Sequence, residues 1–120
     1  MRVRAIRGAI QVESNTVESI HRGVKELLVA ILESNSLTPA EVISVILTST
    51  PDLTADFPAA AAREIGFGAV PLLCATEIDV PGALPRVIRV LMHCESEKEV
   101  SQISHMYLTG ATVLRKDLAQ

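Results

Sequence analysis

Three short apolar runs constrain this chain more than any other feature. "VISVILTST" (residues 42–50), "AVPLLCATEI" (69–78) and "RVIRVLMH" (86–93) are too short for ordinary buried helices and end in turn residues. Their apolar residues fall on both faces, as in strands covered from both sides. The third run carries a conflict. Arg89 stands among Val87, Ile88, Val90, Leu91 and Met92. A guanidinium keeps its charge in a protein and cannot be neutralised to suit an apolar strand. Either Arg89 lies at a sheet edge and reaches water, or something anionic meets it.

The rest of the pattern supplies the frame. Residues 3–12 read as a first strand in which Gly8 marks a bulge or a close backbone approach. Residues 13–36 read as a helix whose buried face is Val17, Ile20, Val24, Leu27, Leu28 and Ile31. Asn15 or Thr16 caps its start and Asn35 ends it. Thr38, Pro39 and Glu41 form a capping box for a short turn. After the loop 51–57, Pro58 to Gly66 predicts a short helix. Residues 79–84 turn the chain into the third apolar run. Ser96 and Glu99 make a second capping box, predicting a helix through Val100, Ile103 and Met106 or Tyr107 that Gly110 ends. Residues 111–115, "ATVLR", read as a last short strand.

The sum is a single domain over residues 1–120, α/β of the α+β type, with a mixed β-sheet and helices on one face. So few strands leave the other face apolar, and oligomerisation is the natural cover. With no Trp, one Tyr and two Phe, the core must be built from Val, Ile, Leu and Ala.

Composition excludes several functions. A formal charge of −3 argues against a nucleic-acid partner, which would need a basic stripe. No apolar run approaches the roughly 20 residues of a membrane span, and the N-terminus lacks the apolar core of a signal peptide. Cys74 and Cys94 have neither CxxC nor zinc spacing, so free thiols in a reducing compartment are expected. There is no HxH or HExxH metal motif and no glycine-rich phosphate loop. His21 falls on the first helix, His93 at a strand end and His105 in the predicted last helix. None stands at a recognisable spacing from a nucleophile.

Several charges nevertheless punctuate apolar segments. Arg7 shares a strand face with Val3, Ala5 and Ala9; Glu77 closes the run 69–78; Arg63 lies on the Ala-rich helix; Arg115 follows "ATVL". Singly, each reads as an edge, snorkelling or surface charge. Together with Arg89 they suggest an anion site, and without a phosphate loop a carboxylate is the better ligand, since the Arg fork matches it.

Four segments, in order and at matching separations, carry a resemblance: "IRGA", "TPDL" with "FPA" and "AARE", "VPLLC" with "E.DV.G.L" and "IRV", and "HMYL" with "VLR.DL". Together they resemble the trimeric α/β-barrel class of chorismate mutase, the non-helical class, over Arg2 to Leu118. The resemblance implies a pseudo-α/β-barrel homotrimer with each site between two subunits. It implies conversion of chorismate to prephenate, on the route to phenylalanine and tyrosine, in the cytoplasm. This is an intramolecular Claisen rearrangement that needs no cofactor, metal or proton transfer. Negative charge grows on the ether oxygen as its C–O bond breaks.

By motif position, the resemblance makes Arg89, Glu77 and Arg7 the catalytic set. Arg89 faces the ether oxygen and the side-chain carboxylate. Arg7 and the Tyr107 hydroxyl bind the enolpyruvyl carboxylate region. Cys74 and Glu77 lie near the ring hydroxyl, with Glu77 as acceptor. Phe57, Ala59 and Leu114 line the pocket, and Arg63 and Arg115 place positive charge at its mouth, near the ring carboxylate. The chain departs from the pattern in two places. Ala60 stands where a Lys is expected, and Leu73 where a small polar residue is expected, leaving the Leu73 backbone to contact substrate. After "RKDLAQ" any tail over the site is expected to be short. Two alternatives share parts of this pattern: a trimeric reactive-imine deaminase, which lacks the "CATE" and "IRV" pair, and a regulatory trimer that binds an anionic metabolite.

Overall fold

The computed structural model describes residues 1–115. Strand β1 (Arg2–Gln11) leads to helix α1 (Val17–Ser34), strand β2 (Val42–Ser49), helix α2 (Pro58–Ala62), and strands β3 (Leu72–Thr76), β4 (Val87–Ser96) and β5 (Met106–Leu108). They form one mixed sheet in the order β3-β2-β4-β1-β5. The central pairings β1–β4 and β2–β4 are antiparallel, while β2–β3 and β1–β5 are parallel.

Helix α1 begins as its sequence dictates. The Thr16 hydroxyl accepts from the Ser19 amide, and Glu18 sits in the first turn, where acidic charge suits the exposed amides. Ile20, Val24, Leu27, Leu28 and Ile31 are all fully buried against Ile6 and Ile10 of β1 and Met92 of β4. Each such aliphatic side chain contributes about 1.5–3 kcal/mol by leaving water. Gly8 lets the helix lie this close: a Cβ there would stand 2.9 Å from Ile31 Cδ1 and 3.1 Å from Leu27 Cδ1. The β1–β4 register runs unbroken from Arg2↔Ser96 to Gln11↔Val87, so Gly8 marks a close approach rather than a bulge. The sheet's irregularity lies in β2, between Val42 and Ser44.

The Thr38–Glu41 capping box closes a 3₁₀ turn, Pro39–Glu41. Helix α2 is followed by a five-residue turn, Arg63–Phe67, in which Gly66 takes φ +101°.

The C-terminal third corrects the sequence reading. The expected helix from Glu99 to Gly110 is a single 3₁₀ turn, Val100–Gln102, followed by β5. The second capping box uses Glu99 with Gln102 rather than Ser96 with Glu99. Residues 111–115, expected as a strand, belong mostly to a 3₁₀ segment, Thr109–Leu114. The edge of β1 wins the backbone: Gly8, Ala9 and Ile10 pair with Met106, Tyr107 and Leu108. Asn35 reinforces the pairing by accepting from the Ser104 amide and donating to the Ser104 carbonyl. A helix through this segment would forfeit those bonds.

Both helices lie on one face of the sheet. The other face presents Arg7 and Ala9 of β1, Arg89, Leu91 and His93 of β4, Ser44, Ile46 and Thr48 of β2, and Leu73 of β3, by the strand registers. At one end of this face Tyr107, Ala9, Val87 and Ala111 form a small second core, with Leu84 and Leu114 packed against it. The remainder is open in the single chain, and Leu73 is 62% exposed.

Candidate active site

Arg89 lies on β4, hydrogen-bonded by β1 on one side and β2 on the other, so it is not at an edge. Its neighbours Ile88 and Val90 are buried among the helices, and strand alternation turns Arg89 to the open face. There it meets an anion from its own chain: Arg89 Nε lies 3.2 Å from Glu77 Oε1. That Nε is out of solvent yet makes no aligned hydrogen bond. The side chain as a whole is 41% exposed, which leaves the rest of the guanidinium facing outward.

Glu77 is held from two sides. Its amide donates to the Ser49 carbonyl at 2.9 Å, extending the β2–β3 pairing by one residue. The Thr48 hydroxyl donates to Glu77 Oε2. One carboxylate oxygen is thus fixed by Thr48 while the other faces Arg89. Thr48 was not singled out by sequence. Its signal is positional: Thr48 is the register partner of Arg89, visible only once β2 and β4 are aligned.

Arg7 and Tyr107 complete the cluster. A cavity of about 320 Å³ is walled by Arg7, Ile46, Thr48, Arg89, Leu91 and Tyr107. That volume suits a small metabolite. The Arg7 amide donates to His105 Nδ1 at 3.0 Å. His105 is therefore a loop acceptor beside β5, rather than the helix residue expected. Burial holds its pKa below the usual histidine value, with the positive charges of Arg7 and Arg115 acting in the same direction. A neutral ring with Nδ1 unprotonated fits that bond.

The other candidates lie elsewhere. Cys74 packs against the helix-side core, on the face opposite Arg89. Leu114 packs on the Tyr107 cluster, and Arg115 follows it, half-buried. Phe57, Ala59 and Arg63 belong to α2 and its flanks, and none walls the Arg89 cavity. Ala59 is in the core, whereas Phe57 is 70% exposed and Arg63 is exposed. His21, placed on the first helix by sequence, sits at the α1–α2 junction with Nε2 2.7 Å from Asp56 Oδ2. His93 lies within β4, its Nδ1 3.3 Å from Ser44 Oγ. Among the described residues no group of His, Cys, Asp and Glu could hold a metal ion. No described helix is long and apolar enough to cross a membrane.

Arg7, Arg89 and the buried Tyr107 wall the cavity, and Glu77, held by Thr48, pairs with Arg89 beside it, an arrangement suited to holding an anion by fixed charge and shape. The model of the chorismate mutase type I family matches residues 3–118, and the chain belongs to that family. It is 51% identical to chorismate mutase AroH of Thermus thermophilus, over 97% of this chain and 96% of that protein. It is 45% identical to chorismate mutase AroH of Bacillus subtilis, over 99% and 94%. The fold matches a solved chorismate mutase from Clostridium thermocellum with a TM-score of 0.90 and 46% identity, covering 92% of this chain and 98% of that one. Membership of this family decides against the reactive-imine deaminase alternative.

Proposed function

We propose that the protein rearranges chorismate to prephenate and that Arg89 supplies the main electrostatic contribution. The observation that carries this reading is the placement of Arg89: a charged side chain on an interior strand, paired with Glu77 and facing the cavity, in a chain of the type I family.

The reaction is intramolecular, so the site has two tasks. It must hold the substrate in its compact reactive shape, a matter of positioning. It must also stabilise charge that develops on the ether oxygen only as the C–O bond breaks. Arg89 does the second, and a fixed donor of this kind is worth about 3–4 kcal/mol. Glu77 orients Arg89 and accepts from the ring hydroxyl. Arg7 and the Tyr107 hydroxyl take the enolpyruvyl carboxylate. No proton moves, and the mechanism calls on no metal or cofactor.

Phe57, Ala59, Arg63, Leu73 and Cys74 enter through assembly. As a homotrimer the chain would seal its open sheet face and bring α2 and the end of β3 of one subunit to the Arg89 cavity of the next. Leu114 and Arg115 then close the cavity from the Tyr107 side. Exposed Leu73 and Phe57 support this reading, since such residues ask for cover. Ala59 and Cys74 then contribute through their backbones, their side chains being committed to the core. Action in the cytoplasm accords with two free cysteines. Ala60 leaves Arg63 as the only cation between Phe57 and Phe67 to face the ring carboxylate.

The test is direct. Purified protein is mixed with chorismate, and loss of chorismate and gain of prephenate are followed together. Stoichiometric conversion is expected. Binding without conversion would favour the regulatory reading. Light scattering should give a trimer; a stable monomer at micromolar concentration would remove the shared site.

A further inference from the structure

Helix α2 carries Phe57 at its start and Arg63 at its end; Pro58, Ala59, Ala61 and Ala62 between them are buried, but Phe57 and Arg63 themselves are exposed. Its five residues make little more than one turn, far below the length at which a helix sustains itself. Phe57, its cap, provides no side-chain hydrogen bond. Both ends are tied to α1 instead. At the start, His21 Nε2 lies 2.7 Å from Asp56 Oδ2, and Asp56 Oδ1 accepts from the Phe57 amide at 2.7 Å. At the end, Glu64 Oε1 accepts from Lys25 Nζ at 3.0 Å, while Glu64 Oε2 lies 3.6 Å from His21 Nδ1. One imidazole thus spans the two ends of the helix.

The tether is partly shielded at its Asp56 end and open at Glu64, which is 49% exposed. The side chains of His21 and Asp56 are 20% and 28% exposed, less open to solvent screening than a surface pair. The Asp56 carboxyl is held below its ordinary pKa, first by the His21 hydrogen bond and then by the Phe57 amide. The Glu64 carboxyl is lowered by Lys25. Asp56 and Glu64 repel one another, and His21 lies between them.

We propose that His21 is a positioning residue: through Asp56 and Glu64 it fixes α2, and with it Phe57 and Arg63, in the geometry in which they meet the substrate. This rests on the reading above that Phe57 and Arg63 belong to the site. His21 itself walls no part of the Arg89 cavity and takes no part in the rearrangement. Its effect is on substrate capture, and so on KM rather than kcat.

The experiment compares four variants of the full chain with chorismate as the probe. His21→Leu removes the imidazole's contacts with Asp56 and Glu64 and should raise KM about three- to ten-fold, part of the worth of a hydrogen bond to a carboxylate, with kcat within about two-fold of the parent. His21→Gln restores a donor toward Asp56 and should recover most of the KM. Phe57→Ala and Arg63→Ala should each raise KM at least as much as His21→Leu. An unchanged KM in His21→Leu, with KM raised in Phe57→Ala or Arg63→Ala, overturns the tether while leaving the site intact. Equal loss in KM and kcat, with no recovery in His21→Gln, also overturns it. An unchanged KM in both Phe57→Ala and Arg63→Ala removes the site reading and the tether with it. Should His21→Leu not fold, Asp56→Asn carries the test: KM should rise about two- to three-fold, and an unchanged KM overturns the proposal.

Discussion

The two faces of the sheet use the same strands to opposite ends. On the helix side Ile6, Ile10, Leu47, Ile88 and Met92 are sealed beneath α1 and α2. On the other side the alternate residues Arg7, Ile46, Thr48 and Arg89 face an open cavity, with Leu73 beside Ile46. One residue of register separates fold from chemistry. Arg89 is tolerated on an interior strand because its side of the strand offers Glu77 and a cavity in place of the helix-side core. A guanidinium at Ile88 or Val90 would enter the helix-side core with no carboxylate to meet it.

The largest effect expected from breaking this division lies on the sealed face. Leu27→Ala should cost about 2–5 kcal/mol of stability by opening a cavity in a fully buried site. Its kcat per folded molecule should stay close to the parent value. Denaturant titration and activity at matched folded fraction separate the two. A fall in kcat with little loss of stability would blur the division between the faces.

Thr48 sharpens the same division from the other side. Thr48→Val keeps shape but removes the donor to Glu77 Oε2. We expect kcat to fall about ten-fold, the ~1.5 kcal/mol of a hydrogen bond to a charged group, with stability little changed. Thr48→Ser should retain most of the activity. Equal activity in Val and Ser variants would mean that Glu77 needs no such anchor.

The smallest effect concerns pH. His105 is held below its ordinary pKa by burial and by Arg7 and Arg115. The unfolded chain then binds the proton more readily than the folded one. The stability contribution of neutral His105 is full above about pH 6.5, the unfolded value, and is lost as pH falls toward the lower folded value. His105→Asn keeps an acceptor for the Arg7 amide without titrating. Its melting temperature should fall less than the parent's between neutral and mildly acidic pH. Parallel curves would show that His105 does not titrate in this window.

Much of this was legible in sequence, for reasons that can be named. The runs at 42–50 and 86–93 became central strands because apolar residues on both faces fit little else. Arg89 was conspicuous for the same reason. The segment 99–110 misled because Val100, Ile103 and Tyr107 fall at helical spacing. The free edge of β1 and the side chain of Asn35, both remote in sequence, recruited it as a strand. Local pattern loses when long-range pairing satisfies more backbone groups. Thr48 and His21 were hidden for another reason. Their partners, Glu77 and Asp56, lie 29 and 35 residues away, and neither pairing follows a sequence motif.

The central claim is that the charge of Arg89, more than its shape, drives the reaction. The most direct test replaces Arg89 by its neutral, near-isosteric urea analogue in the full chain. Circular dichroism and oligomer mass confirm the fold, and kcat and KM are then measured with chorismate. A fall in kcat of about 10²–10³ is expected, with a much smaller change in KM, because the lost interaction is realised mainly in the transition state. A folded variant that keeps nearly full kcat would contradict the claim.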